Sequence, residues 1–373
     1  MKIGVNALLY SAGQDYRQTG ISRYIDRLLG HLGAECGPFD ITAYVGKGAQ
    51  PSWDRVHLNR IPIPGTNPRA RIPAELTLLP IAARRSDLDL FHGPVNTLPP
   101  LVGRVRQIVT IHDLAFLRFP DQITRRRSIY LNAMIRRAVR RADHILVPSQ
   151  ATAEDLVDLL NADRSSITVT PLGAEPHFRP LSAEHCTAAK ARFGIDRPFI
   201  LTVGTIEPRK NLPRLIDAFV SIAEAVPHDL VLVGPTGWLT DPIEHQIASS
   251  ALGGRIKRTG FVDDAGLVGL YNAADVVAIP SLYEGFGLPV LEALACGSVV
   301  LTSDSSSLPE VSGDAAVLVD PRDSNAIAAG LLRALNDTAL RAELGTRALV
   351  RAAAFSWHRT AALTASAYRA VLA

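Results

Sequence analysis

Residues 275–303 read DVVAIPSLYEGFGLPVLEALACGSVVLTS. Apolar runs at 275–281 and 298–303 flank a glycine-containing turn and a segment, 288–296, that has Pro289 at its start and Gly297 at its end. Proline suits the first turn of a helix and glycine the position just past its end, so the stretch predicts strand, turn, helix, strand. Short apolar runs separated by longer amphipathic segments are the pattern of a parallel sheet covered by helices.

The same alternation extends in both directions. Strands are predicted at 2–8, 107–113, 144–149, 199–204 and 230–234, and helices at 20–32, 126–142, 150–160 and 211–226. RADHILVPSQATAEDL, from residue 141, and AADVVAIPSLYEGFGL, from residue 273, both set Ala-Asp four residues ahead of Pro-Ser, which agrees with two similar α/β halves. A chain of 373 residues fits two domains of roughly 150 to 200 residues each. Proline-rich TPLGAEPHFRPLS, at 170–182, is the linker, which gives domains 1–175 and 183–355.

Composition narrows the function. Lys and Arg exceed Asp and Glu by 39 to 36, so global charge predicts no nucleic-acid binding. Cys36, Cys186 and Cys296 form no Cys-x-x-Cys pair and read as buried small side chains of a cytoplasmic protein. The N-terminus reads as a first strand and not a signal peptide, and no apolar run is long enough to span a membrane. Zinc spacing, a Walker loop and Gly-x-Ser-x-Gly are all missing. Asp87 and Asp89 precede a strand start, Leu90 to Gly93, without a cluster to complete a metal shell, so neither metal nor cofactor is expected.

Sheets of this class bind ligands beyond the carboxyl ends of their strands, and two of them facing one another would enclose a cleft. Glu284 stands before the turn and Glu292 one turn inside the helix, with Gly285 and Gly287 placed where amides approach a ligand unobstructed. Ionised carboxylates accept hydrogen bonds, donate none and repel phosphate, so hydroxyl groups suit them. A nucleotide sugar, both anionic and rich in hydroxyls, answers to the turn and the carboxylates together. The plainer readings are a charge near a helix N-terminus for Glu284 and an exposed helical residue for Glu292. A two-carboxylate hydrolase fits less well, since its carboxylates flank a bond while these share one turn-helix unit.

Arg209 and Lys210 lie in TIEPRKNLPRLIDAF, at 205–219, in a loop that feeds a helix; a guanidinium fork and an ammonium there form a diphosphate clamp or, more plainly, a solvated pair. His112, beside Asp113 at the end of 107–113, is a group to hold a sugar hydroxyl or a structural histidine. Gly20 in TGISRY, at 19–24, admits a ligand to the backbone or simply turns the chain. Between 118 and 141 stand eight arginines (118, 125, 126, 127, 136, 137, 140 and 141) against one acid, Asp121, with apolar residues among them. This is either a solvated helix face or a surface for weak binding to anionic membrane.

TGISRY, VGTIEPRKNLPRLIDAF (203–219), LVLVGPTGW (230–238) and the block 260–321 resemble, over nearly the whole chain, the retaining glycosyltransferases of family 4. The signature is Glu-x7-Glu within Glu-Gly-Phe-Gly-x-Pro-x-x-Glu-Ala, here Glu284 through Glu292. The resemblance implies the GT-B architecture, two facing Rossmann-like domains with an interdomain cleft and a C-terminal crossover helix, 356–373, packed back on the first domain. It implies metal-independent transfer of a hexose from a nucleotide sugar to a sugar hydroxyl of a glycan or lipid-linked acceptor. EPRKN, at 207–211, is similar to the mannosyltransferase-like branch and favours GDP-mannose as donor.

By the same resemblance Glu284 meets the donor sugar's hydroxyls, Glu292 the ribose, and Lys210 with Arg209 the diphosphate. His112 and Gly20 face the sugar, and Phe261 and Val262 seat the base. Gly204, Thr205, Gly285, Phe286, Gly287 and Leu288 complete the donor site. Many relatives carry arginine where this chain has Thr205, so Arg209 is expected to supply that charge. A GT-B nucleotide-sugar epimerase and a non-catalytic two-domain sugar-binding protein share these donor contacts and stay open. The expected location is cytoplasmic, peripheral at the inner membrane face.

Overall fold

The computed structural model describes residues 1–11, 20–35, 37, 39–65, 67–100, 104–237, 241–250 and 252–373. Thr19, Cys36, Trp238 and the side chain of Arg127 lie outside the described residues. The chain forms two compact units, Met1–Gly173 together with Ser356–Ala373, and Ala174–Phe355.

The first unit carries seven parallel strands, β1 (Lys2–Asn6), β2 (Asp40–Gly46), β3 (Val56–Ile61), β4 (Leu90–Gly93), β5 (Arg106–Thr110), β6 (His144–Val147) and β7 (Ile167–Val169), in the order β3-β2-β1-β4-β5-β6-β7. The second carries six, β8 (Phe199–Val203), β9 (Asp229–Val233), β10 (Ile256–Gly260), β11 (Val276–Ile279), β12 (Val300–Ser303) and β13 (Ala316–Val319), in the order β10-β9-β8-β11-β12-β13. In the second sheet the winding reverses between β8 and β11. The loops that follow these two strands leave in opposite directions and open a crevice there.

Central strands are the continuous apolar runs: DLVLV of β9 and VVAI of β11 are buried throughout. The edges differ. β3, VHLNRI, and β10, IKRTG, are polar and partly exposed, as an edge strand with one solvent-facing side permits. For that reason the sequence predicts neither. It also misses β2, β7 and β13, two of them only three or four residues long. Most predicted strands stop one to three residues earlier than their apolar runs, because the chain leaves the ladder to build the loops at their carboxyl ends.

Helices Gly20–Glu35, Arg125–Arg141, Gln150–Leu160 and Leu212–Ile222 stand where amphipathic periodicity predicts them. Each unit has its own core: Leu8, Tyr44, Phe91, Val109, Val147 and Leu156 in the first, and Ile200, Leu215, Phe219, Leu232, Ala278 and Leu301 in the second. Helix Trp357–Leu372 packs on helix Gly20–Glu35 within the first unit. Beneath it runs a buried polar chain. His92 Nδ1 is 2.7 Å from the Tyr368 hydroxyl, His92 Nε2 is 2.7 Å from Thr110 Oγ1, and Thr110 Oγ1 is 3.0 Å from the Tyr24 hydroxyl. Among the described residues no helix is long and apolar enough to cross a membrane.

Candidate active site

The crevice between β8 and β11 brings together two loops distant in sequence. After β8 the backbone reaches Gly204 at φ 149°, a conformation that disfavours any side chain, and a Cβ there would come within 3.0 Å of Lys210 Cε. The chain then makes a short helical turn, Pro208–Lys210, and enters the next helix through Asn211 at φ 61°. Asn211 Nδ2 donates to the carbonyls of Pro280 (2.9 Å) and Pro321 (2.6 Å), and Leu282 N donates to Arg209 O (2.8 Å). The cation-bearing turn is thereby pinned to the loop after β11.

That loop carries Glu284, which is buried and lies between both cations. Its Oε1 accepts from Lys210 Nζ at 2.6 Å and its Oε2 from Arg209 Nη1 at 2.6 Å. Burial alone would raise the carboxyl pKa, but the two cations outweigh it and hold the group at about 2. Arg209 Nε in turn lies 2.5 Å from Oε1 of buried Glu207, whose pKa burial raises and Arg209 and Lys210 partly restore. Thus Arg209 and Lys210, predicted as a ligand clamp, already grip a carboxylate. Glu284 is neither a surface charge nor a lone acceptor awaiting hydroxyls.

Beyond it Gly287, at φ 102°, opens helix Leu288–Ala295, with Pro289 in the first turn and Gly297 at φ 75° past the end. Ser306 Oγ donates to Glu284 O (2.6 Å), and Ser307 Oγ lies 2.8 Å from Glu284 O and 2.9 Å from Phe286 O. These hydroxyls hold the turn's carbonyls in place. Phe286 is buried and meets Phe355 edge-on, with ring centroids 5.8 Å apart, so its side chain is structural. Glu292 is buried too, not exposed, and its Oε2 accepts from the Tyr271 hydroxyl at 3.0 Å.

The remaining predicted residues are dispersed. Thr205 follows Gly204 and is partly buried, whereas after β10 Phe261 is exposed and Val262 buried. In the first unit Gly20 opens its helix with open space where a side chain would stand. His112 follows β5, its backbone N–H bonded to Asn96 Oδ1 at 2.8 Å. Its Nε2 lies 2.8 Å from the Pro94 carbonyl; a carbonyl only accepts, so Nε2 carries the proton. Burial lowers its pKa, partly offset by Pro94 and Asp113, so the ring is neutral and Nδ1 keeps its lone pair. The Tyr24 ring meets it edge-on at 4.7 Å. Asp87 lies 3.5 Å from the Lys2 ammonium, Asp89 accepts from the Lys2 backbone N–H at 2.8 Å, and among the described residues no group of three His, Cys, Asp or Glu could hold a metal.

Sequence reading misses Glu207, Tyr271, Ser306 and Ser307. For Glu207 a signal existed, an acid two residues before Arg209. The serines stand in a Ser run, 305–307, ahead of a helix, but Tyr271 has no local cue.

Residues 187–351 match the glycosyl transferases group 1, and residues 18–178 match Glycosyltransferase Family 4. The O-antigen chain mannosyltransferase B of Escherichia coli is 33% identical over 283 residues, 75% of this chain and 74% of that protein. The serotype-specific mannosyltransferase WbdA of Escherichia coli is 32% identical over 252 residues, 66% of this chain but only 31% of WbdA. Sucrose-phosphate synthase from Thermosynechococcus elongatus shares the fold, with a TM-score of 0.79 at 22% identity over 99% of this chain and 98% of that one. Two parallel α/β sheets and a long C-terminal helix make this the GT-B fold, and the chain belongs to glycosyltransferase family 4 as a retaining hexosyltransferase.

Proposed function

We propose that the enzyme transfers mannose from GDP-mannose to a sugar hydroxyl of a growing polysaccharide or lipid-linked glycan. The observation that carries this reading is the carboxylate of Glu284 seated between Arg209 and Lys210 at the switch point of the second sheet: two cations converge where an anion binds. A donor diphosphate takes over those cations, and Glu284, released, accepts hydrogen bonds from the sugar. Glu292, fixed by Tyr271, accepts from the ribose. The amides of Gly285 to Leu288 face the phosphates, and exposed Phe261 with Val262 offers the base an apolar surface. In the first unit the neutral His112 ring keeps an Nδ1 lone pair able to accept from a hydroxyl. Two relatives named as mannosyltransferases support the sugar, and one named for the O-antigen chain supports a polysaccharide acceptor.

Chemistry is front-side displacement. The bond from the anomeric carbon to the diphosphate oxygen breaks with its electron pair moving to the diphosphate, which Arg209, Lys210 and the amides stabilise. The acceptor oxygen bonds the same face, and its proton passes to the departing phosphate oxygen. Preorganised donors of this kind contribute a few kcal/mol each, about 3. A thermal-shift panel of GDP-, UDP-, ADP- and TDP-sugars tests the donor, because a ligand of the folded state raises Tm. GDP-mannose is expected to give the largest shift. A UDP-sugar shift with none from GDP-mannose overturns the donor assignment, and recovery of an epimeric nucleotide sugar overturns transfer.

The arginine-bearing helix Arg125–Arg141 supports a membrane surface for this activity. Arg136, Arg137, Arg140 and Arg141, with Ala133, line a hollow of about 460 Å³, and Ile129 stands 62% exposed two turns earlier on the same helix. Guanidinium groups beside an exposed apolar side chain suit anionic lipid.

A further inference from the structure

Four charges alternate along the turn after β8 and the loop after β11: Glu207, Arg209, Glu284 and Lys210. Contacts of 2.5, 2.6 and 2.6 Å join them in that order. Two carboxylates and two cations sum to zero. The guanidinium of Arg209 is fixed by carboxylates at two of its three nitrogens, Nε to Glu207 and Nη1 to Glu284, with Nη1 also donating to Tyr283 O at 3.2 Å. Glu207 sets its plane from the Nε side.

The diphosphate of a sugar nucleotide brings two negative charges into this balanced group. The excess is relieved most cheaply by neutralising the carboxylate that keeps the least support for its charge. Glu284, released from its cations, gains hydrogen bonds from the sugar hydroxyls, whereas Glu207 gains no donor and keeps only its contact with Arg209 Nε. Among the described residues the charged groups facing Glu207 are Arg209 and Lys210 on its own turn and Glu284 across the crevice. Burial and Glu284 already press Glu207 toward its neutral form.

We propose that Glu207 is a positioning residue for Arg209 that takes up a proton when a sugar nucleotide binds, an inference resting on the reading of Arg209 and Lys210 as the diphosphate site. A protonated carboxyl still presents an acceptor oxygen to Arg209 Nε, so the guanidinium keeps its orientation while the group loses one negative charge. Proton uptake on binding makes affinity rise as pH falls, approaching tenfold per pH unit where a full proton is taken up.

Isothermal titration with GDP-mannose and UDP-glucose, in buffers of differing ionisation enthalpy, counts the protons. Neither probe has a terminal phosphate that titrates near neutrality, so any proton taken up goes to the protein. Native enzyme is expected to take up a large fraction of a proton near pH 6.5. Glu207→Gln, which keeps the acceptor for Arg209 Nε, is expected to bind with no uptake and a flat pH profile, while Glu207→Ala loses kcat as well. Binding without uptake by native enzyme, or equal uptake by Glu207→Gln, overturns the proposal. Failure of both probes to bind native enzyme at any pH instead overturns the diphosphate-site reading beneath it. Should Glu207→Gln not fold, difference infrared spectra of native enzyme decide the matter: a protonated-carboxyl band appearing with donor supports the assignment, and no such band overturns it.

Discussion

Lys210 lies across Gly204 and ends on Glu284, so the length of the side chain and the bare α-carbon beneath it belong to one arrangement. Lys210→Ala is expected to lower turnover at saturating donor about 10²-fold, with Tm nearly retained because Arg209 still pairs with Glu284. Unchanged turnover removes Lys210 from the reaction. The two glutamates should separate by ligand. Glu292→Ala, if it removes a ribose contact, weakens GDP and GDP-mannose alike, by about tenfold to a hundredfold. Glu284→Gln releases two cations, so GDP should bind as well or better while GDP-mannose binds worse. Equal losses for both ligands in both variants contradict that division. The signature was legible because Glu284 and Glu292 share one turn-helix unit. Their partners were not, because Arg209 and Tyr271 come from 75 and 21 residues away, and only the sheet order brings them near.

At the scale of elements, helix Leu288–Ala295 depends on a backbone entry that only glycine adopts easily. A Cβ on Gly287 would also come within 2.7 Å of Leu308 Cδ2. Gly287→Ala should therefore cost about 1–3 kcal/mol, read by urea unfolding, and loosen the turn that holds Glu284. The buried chain under helix Trp357–Leu372 gives the first unit a pH dependence. Burial, with a smaller contribution from His112, lowers the His92 pKa from 6.5 to about 3. Below 6.5 the unfolded chain binds a proton that the folded one refuses, so stability should fall as pH drops from about 6.5 toward 3. The slope for one such group approaches about 1.4 kcal/mol per pH unit. His92→Gln should be less stable at neutral pH yet show a shallower slope in acid. A slope equal to that of the native protein removes His92 as the cause. Buried central strands and amphipathic helices could be read from periodicity, whereas β3 and β10 could not, since an edge strand needs no apolar run on its solvent side.

For the molecule as a whole, weak and salt-sensitive attachment to anionic vesicles is expected. Each cation near such a surface contributes about 1 kcal/mol, screened by salt. Replacing Arg136, Arg137, Arg140 and Arg141 with glutamine should abolish co-sedimentation at low ionic strength. Binding unaffected by those replacements, or none at low salt, sinks the membrane reading. The first unit is also discontinuous: Met1–Gly173 is completed by Ser356–Ala373, with Tyr368 bonded to His92. During synthesis the 200 residues from Ala174 to Ala373 must follow before that helix exists. At about 5–20 residues per second this takes on the order of 10 to 40 s. Over that interval the emerging first unit lacks its covering helix, while the segment Ala174–Phe355 is finished and free to fold ahead of it. The usual order of nascent folding is inverted, and the half made first waits longest, with apolar surface open to whatever chaperone attends the ribosome.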